Sequence, residues 1–300
     1  MTKNFTLLMI AFCLSLASVQ AQEDTTKATS PWKRAGFVRL TFNNTGLSNW
    51  AAGGDNSIAL GTVLNFNAKR ETKRSIWDNT FHVDYGIARV GDGDRLFKKT
   101  KDQLSMMTKY GYKLTENWNI SAAVNFSTQI QPGYTYKVDS LGKESIDQRI
   151  SDFFSPAYIL PTIGIGYQNK IFSAVLSPVA NKITIVLDDS LSSVGAFGVE
   201  PGKNIRNELG IDFTGKLTLE LMENITFDTF VNLFANYKTT QFIDVNWTTN
   251  LVFKVNKFFS ASFGTHLIYD NDILIEQPDG SNIQAVQFKH VLDIGLMVKF

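Results

Sequence analysis

Three histidines are the residues of this chain best suited to proton transfer: His82, His266 and His290. His82 has Asp84 two residues on, a spacing that puts both side chains on one face of an extended strand. Such a pair is half of a nucleophilic site, which also needs a hydroxyl or thiol held against the base. On an extended strand, a serine two residues from a histidine would share its face and could supply that hydroxyl. Here those positions hold Asp84, Ile268 and Leu292. The plainer reading takes His82 and His266 as polar residues on the hydrated face of their strands, and His290 as an interfacial aromatic. Scattered histidines and a single cysteine, Cys13, give no metal-ligand spacing. The glycine-containing AAGGDNS (51–57) lacks the Gly-Lys-Ser/Thr ending of a phosphate loop. DDSLSSVGAFGVEPG (188–202) lacks calcium-loop spacing and reads as a flexible surface loop. No enzyme activity, catalytic residue, metal or other cofactor is expected.

What these side chains do depends on the elements that carry them. The chain has 300 residues, 44% hydrophobic and 19% charged, with 23 phenylalanines, and one large all-β domain fits that length. Its net charge of +1, with no basic tail and no Lys/Arg cluster along one face, argues against nucleic acid as a partner. Residues 1–21 combine Lys3, an apolar run, and small side chains at Val19 and Ala21, the pattern of a secretory signal peptide. An uncleaved membrane helix fits less well, because the apolar run is short and the polar QEDTTKATS follows at once. Phe12 stands where a lipoprotein cysteine needs a small residue. Cleavage after Ala21 would remove Lys3 and Cys13, leaving a formally neutral chain that forms no disulfide. Beyond that point no run of eighteen apolar residues suggests a membrane helix.

Period-two patterning fills the remainder. In 118–130, Trp118, Ile120, Ala122, Val124, Phe126 and Ile130 alternate with Asn119, Ser121, Asn125, Ser127 and Gln129. Segments 210–221 and 242–255 repeat the pattern. A typical globular strand is about five or six residues long, whereas a tilted strand crossing a bilayer needs roughly nine to eleven. Strands are expected near 35–43, 56–68, 76–90, 101–114, 118–130, 156–168, 171–187, 207–221, 225–238, 242–256, 258–270 and 286–300. Short turns near 69–75, 114–118, 167–171, 221–225 and 255–259 alternate with mostly longer connectors near 43–56, 91–98, 131–155, 188–206, 238–241 and 271–285. This asymmetry predicts an all-β, closed antiparallel transmembrane β-barrel of about 12 strands over 35–300, with short periplasmic turns and longer extracellular loops. Residues 22–34 are expected to be a short periplasmic segment. Pro161 and Pro178 predict irregular strands, and adjacent Met106 and Met107 leave the facing of their strand open.

The end of the chain, LDIGLMVKF, places Leu292, Ile294, Leu296, Val298 and Phe300 on one face. Asp293, Gly295, Val298 and Phe300 together resemble the C-terminal assembly signal of bacterial outer-membrane barrels, which implies the barrel-assembly machinery as a partner. The alternative is a soluble β-sandwich whose last strand ends in Phe. Aromatic residues at strand starts (Trp77, Trp118, Phe172, Phe227 and Phe259) suggest a periplasmic girdle in outer-membrane lipid, with Tyr237, Trp247 and Tyr269 near the other rim.

Four stretches, NWAAGGDNS (49–57), KTKDQLSMMTKYGYK (99–113), NFSTQIQPGYTY (125–136) and ISDFFSPAY (150–158), resemble an uncharacterised group of predicted outer-membrane barrels of Bacteroidota, known as a domain of unknown function. The resemblance implies a barrel in the bacterial outer membrane and no particular activity.

The polar faces carry the remaining information. Asp78, His82, Asp84, Lys109, Lys113, Asp212, Lys216, Glu220, Asp228, Asp244 and Lys254 are the candidate lumen-lining residues, joined by Asp293 and Lys299 on the last strand. Opposite charges on neighbouring strands can pair across the ladder. Twelve strands lie between side-chain-filled eight-stranded barrels and open porins. Two functions follow: a narrow channel or transporter for small solutes, or a structural or accessory barrel within a larger assembly of envelope proteins.

Overall fold

Alternation of apolar and polar side chains over long stretches becomes long strands, because such a chain can present one face to each of two environments. The computed structural model describes residues 31–46, 55–256, 258–273, 275–276 and 281–300. The expected signal peptide, residues 22–30 and residues 49–54 of the first motif lie outside the described residues. The strands are β1 (Trp32–Thr45), β2 (Ser57–Glu71), β3 (Ser75–Val90), β4 (Lys98–Lys113), β5 (Trp118–Thr128), β6 (Gly133–Val138), β7 (Glu144–Ser151) and β8 (Ala157–Gln168). They continue with β9 (Phe172–Ile185), β10 (Ile205–Met222), β11 (Ile225–Asn236), β12 (Asp244–Lys254), β13 (Phe259–Tyr269), β14 (Ile275–Glu276), β15 (Asn282–Ile283) and β16 (Gln287–Lys299).

Twelve of these close a barrel in the order β1-β16-β13-β12-β11-β10-β9-β8-β5-β4-β3-β2, and every neighbouring pair is antiparallel. The expected strand order is therefore realised. The first strand starts at Trp32, so Trp32–Arg34 belong to the wall and not to a preceding segment. Two expected long loops contain structure of their own: 131–155 holds the β6–β7 hairpin, and 271–285 holds the small β14–β15 pair.

The seam between first and last strand is set by close backbone approach. β1 and β16 pair from Phe37 with Lys299 to Thr41 with Gly295. Beyond that register, the Gly36 and Phe300 main chains exchange N–H···O bonds of 2.9 and 3.0 Å. A Cβ at Gly36 would lie 2.6 Å from the Phe300 ring, and one at Gly295 would collide with the Leu40 carbonyl. Glycine is required at both positions to let the strands meet.

Of the two prolines, Pro161 pairs with Val124 in the unbroken β5–β8 register, and the irregularity lies at Pro178. Pro178 has no N–H to donate. The β9–β10 register slips between Gly210 and Asp212, and the β8–β9 register slips between Ile163 and Ile165. The extra residue on β9 changes which parity faces inward.

The distribution of side chains inverts that of a water-soluble core. Buried residues include Ser177, Thr184, Asp212, Ser260 and Ser262, whereas Leu40, Phe42, Ile163, Leu209, Leu292 and Ile294 are exposed. Exposed Trp77, Trp118, Phe172 and Phe259 stand at the short-turn end, where Trp32 meets Trp77 at 5.2 Å and Trp118 meets Tyr167 at 5.2 Å. Met106 joins the exposed outer set, and Met107 takes the opposite face.

Deleting Phe300 removes two seam hydrogen bonds, worth about 1 kcal/mol each, and a half-covered aromatic ring. Denaturant unfolding of the refolded barrel is expected to register a loss of about 2–3 kcal/mol.

Candidate functional site: the charged barrel interior

The inner face is fixed by ion pairs that skip strands. Lys101 on β4 places its Nζ 2.6 Å from Asp293 Oδ2 on β16, although β3, β2 and β1 separate them along the wall. Such a contact forms only across the interior. Lys182 on β9 makes the second crossing, at 2.7 Å to both Asp244 on β12 and Asp270 after β13. Each crossing spans a chord of the barrel cross-section.

Around Asp293 the pairs form a cluster. Arg39 Nη1 donates to Ser262 Oγ at 2.7 Å, and its Nη2 lies 3.9 Å from Asp293 Oδ2. Lys101 also lies 3.8 Å from Asp84. These side chains are nearly buried, with Arg39 11% and Asp293 15% exposed, so the charges are poorly screened and each carboxylate offsets cations that would be costly alone. The Lys182 cluster lies nearer the long-loop end. Beside it, Arg206 bonds Glu208 at 2.7 Å and also holds Asp272, and Asn236 donates to Glu208 at 3.0 Å.

The expected polar-face residues fall into three groups. Asp84 and Asp244, with Asp293, belong to the two crossings. Asp78 lies 3.9 Å from Lys109 on the adjacent strand, and Lys113 bonds Glu71 at 2.6 Å. Asp212 is held without a cation, accepting from Asn232 at 2.5 Å and Thr214 at 3.0 Å, and Asp228 accepts from Thr218 at 2.7 Å. Lys216, Glu220 and Lys254 are exposed in the short-turn half and join neither crossing. Of the residues expected to form an assembly signal, Asp293 reaches Lys101 across the interior, Gly295 sits at the seam, and Val298 and Phe300 are exposed.

Each histidine contacts neighbouring polar or aromatic side chains. His82 Nδ1 is 3.5 Å from Asn65 Nδ2, His266 Nε2 is 2.9 Å from Asn246 Oδ1, and the His290 ring lies between Phe263 and Phe288. Among the described residues, no three metal-ligating side chains come together.

Sequence reading missed Arg39, Lys101, Lys182 and Asp270. Arg39 and Lys101 follow the alternation of their own strands and were open to the same reading as Asp84. Lys182 lies past Pro178, where the bulge shifts the inward parity.

The loops at the long-loop end are built from local bonds. Segment 188–202 is not an extended surface loop. It forms α1 (Asp189–Ser193) and a short 3-10 turn, Ala196–Gly198, around a small core of Val186, Leu191 and Val199. Asp188 caps α1, accepting from the Leu191 N–H at 3.0 Å and from Ser190, and Arg149 of β7 bonds it at 2.7 Å. The Ser190 hydroxyl, the Leu191 amide and the Arg149 guanidinium hold the Asp188 carboxyl down at about 2, below its ordinary 3.8.

A family described as "Protein of unknown function (DUF3078)" matches residues 42–134. That span takes in KTKDQLSMMTKYGYK and most of NFSTQIQPGYTY. No curated protein matches the chain. Among solved structures, an outer membrane channel from Pseudomonas putida F1 is 9% identical over 94% of this chain and 100% of that one, with a TM-score of 0.40. The NanC porin is 9% identical over 88% and 97%, with a TM-score of 0.37. Outer membrane phospholipase A from Escherichia coli, in an active-site mutant, is 10% identical over 92% and 94%, with a TM-score of 0.36. The barrel architecture of this chain rests on its own strand pairing.

Two measurements test this site. Asp293→Ala leaves Arg39 and Lys101 without their shared carboxylate and is expected to cost about 3 kcal/mol in unfolding free energy. In a double-mutant cycle, Lys101→Ala is expected to couple to it by about 1–2 kcal/mol, and additive losses would dissolve the crossing. For the cap, a carboxyl depressed in the folded state stabilises fully above its unfolded value and loses that contribution as pH falls through its folded value. The Leu191 amide resonance should therefore titrate with a midpoint near 2, where a free carboxyl would give 3.8.

Proposed function

We propose that this chain is an outer-membrane β-barrel serving as a narrow conduit for small polar solutes, with its passage set by the two ion-pair crossings. The observation that carries the reading is the pairing of an apolar outer face with a charged interior. Lipid accepts only a closed sheet with an apolar exterior, and charges are retained inside a membrane where water or a polar solute must be accommodated. The short turns then face the periplasm and the long loops face outward. The candidate lumen residues Asp78, His82, Asp84, Lys109, Lys113, Asp212, Lys216, Glu220, Asp228, Asp244 and Lys254 line that path. Asp293, Gly295, Val298 and Phe300 serve as the signal read by the barrel-assembly machinery. The motif resemblance to barrels of Bacteroidota belongs to the same reading.

A second reading, a structural or accessory barrel, is favoured by the crossings themselves, because bonds spanning the interior also shut it. Single-channel recording in planar bilayers separates the two. The conduit reading expects small discrete steps from the refolded protein, and larger steps from an Asp293→Asn/Lys182→Gln double variant in which both crossings are weakened. A folded barrel silent in both forms would overturn it and favour the structural role.

A further inference from the structure

Between β5 and β8, at the long-loop end, the β6–β7 hairpin covers a pocket of about 300 Å³ that opens to solvent. Its walls include Tyr134, Tyr136 and Phe197, and its polar edge includes Gln129, Ser151 and Lys99. The volume is at the small end of the range for organic ligands.

The polar edge is organised for a neutral ligand. Lys99 Nζ spends three donors on Asp102 Oδ2 at 2.8 Å, Gln129 Oε1 at 2.7 Å and the Gln131 carbonyl at 2.8 Å. An ammonium has three donors, so this one has none to spare, and Asp102 balances its charge. The neighbouring Lys98 is likewise committed, to Glu144 at 2.5 Å and over the Tyr136 ring at 4.9 Å. Gln129 Oε1 also accepts from Ser151 Oγ at 2.7 Å. With its oxygen doubly engaged, the Gln129 carboxamide offers its nitrogen to a ligand hydroxyl.

The aromatic side is held at a cost. Phe197 has φ of +57°, a left-handed backbone that a phenylalanine rarely adopts, between Gly195 and Gly198, which take such angles freely. Strained residues of this kind persist where the surroundings fix them, and they collect at ligand clamps. One part of Phe197 packs on the Val186–Leu191–Val199 core, and another lines the pocket. On the floor, a Cβ at Gly133 would collide with Ser151 Oγ and come within 3.4 Å of Lys99 Nζ.

We propose that this pocket binds a neutral sugar ring, which packs its C–H face on Tyr134, Tyr136 and Phe197 and accepts a hydrogen bond from the Gln129 amide nitrogen. Aromatic surfaces paired with a few fixed amide and hydroxyl groups complement a pyranose, which has an apolar face and a rim of hydroxyls. The inference rests on the conduit reading only for placing the pocket outside the cell, where surface glycans are met.

The test uses the full folded barrel in a detergent without a sugar headgroup. Saturation-transfer NMR titrations would use methyl β-glucoside, methyl α-mannoside and N-acetylglucosamine, with benzoate as the anionic control. At least one sugar is expected to bind with Kd of about 1 mM. Tyr134→Ala and Gln129→Glu should each weaken it about tenfold, and Gly133→Ala should abolish it. Retention of the heat-modifiable gel shift shows that each variant is folded. Absence of sugar binding up to roughly 10 mM, equal binding in the folded Tyr134→Ala variant, or benzoate binding as tight as any sugar would overturn the proposal. Sugar binding by a barrel that does not conduct would leave this site standing while removing the conduit.

Discussion

A sheet in lipid has no water to satisfy an unpaired edge, and closure is the only solution open to strands. In this chain closure depends on β16 lying against β1, with Gly36 and Gly295 giving the backbones room and Phe300 exchanging both of its main-chain groups with Gly36. Once that seam forms, each of the twelve strands has two neighbours. Everything else follows from the resulting inside and outside. Strand alternation must divide the side chains into an apolar outer set and a polar inner set, because a pleated strand offers only two faces.

The inner set then meets a second constraint. Charges confined within a protein wall are costly unless compensated, and side chains on adjacent strands cannot compensate all of them. Lys101–Asp293 and Lys182–Asp244/Asp270 find their counter-ions across the interior. They thereby tie distant parts of the wall together and narrow the space between them. Lower in the barrel, Lys109–Asp78 pairs between neighbouring strands and Lys113–Glu71 reaches past β3 from β4 to β2, while Lys216, Glu220 and Lys254 join neither crossing. The interior is thus unevenly obstructed along its length.

Much of this architecture was legible in the sequence because it is written in period two. The strand order, the alternation of short turns and longer connectors, and the disturbance at Pro178 all follow from local pattern, whereas Pro161 leaves the β5–β8 register unbroken. Asp78 pairs with Lys109 and Asp84 with Lys101, on the strand face that their alternation assigns to polar residues. Two kinds of information were not local. The parity shift at Pro178 hid Lys182, since a single extra residue reverses every later facing on that strand. The partner of an inward charge depends on barrel closure and strand stagger, so the crossings to Asp293 and Asp270 had no sequence signature. The cap was missed for a related reason: α1 is five residues long, and its stability comes from Asp188, Arg149 and a three-residue apolar core drawn from separate segments.

A wall that spans a bilayer meets a different solvent on each of its two faces. Cys13 is the chain's only cysteine, so single cysteines can be placed along 292–298, leaving Gly295 in place, in a Cys13→Ser background. Each would be tested in liposomes for labelling by a charged thiol reagent and, with a fluorophore attached, for quenching by a lipid-borne nitroxide. Positions 292, 294, 296 and 298 are expected to be quenched by the lipid probe, and 293 and 297 to escape it, with the charged reagent reaching only the second set. Uniform access of the charged reagent to both sets would contradict a lipid-facing outer wall and, with it, the account of the charged interior.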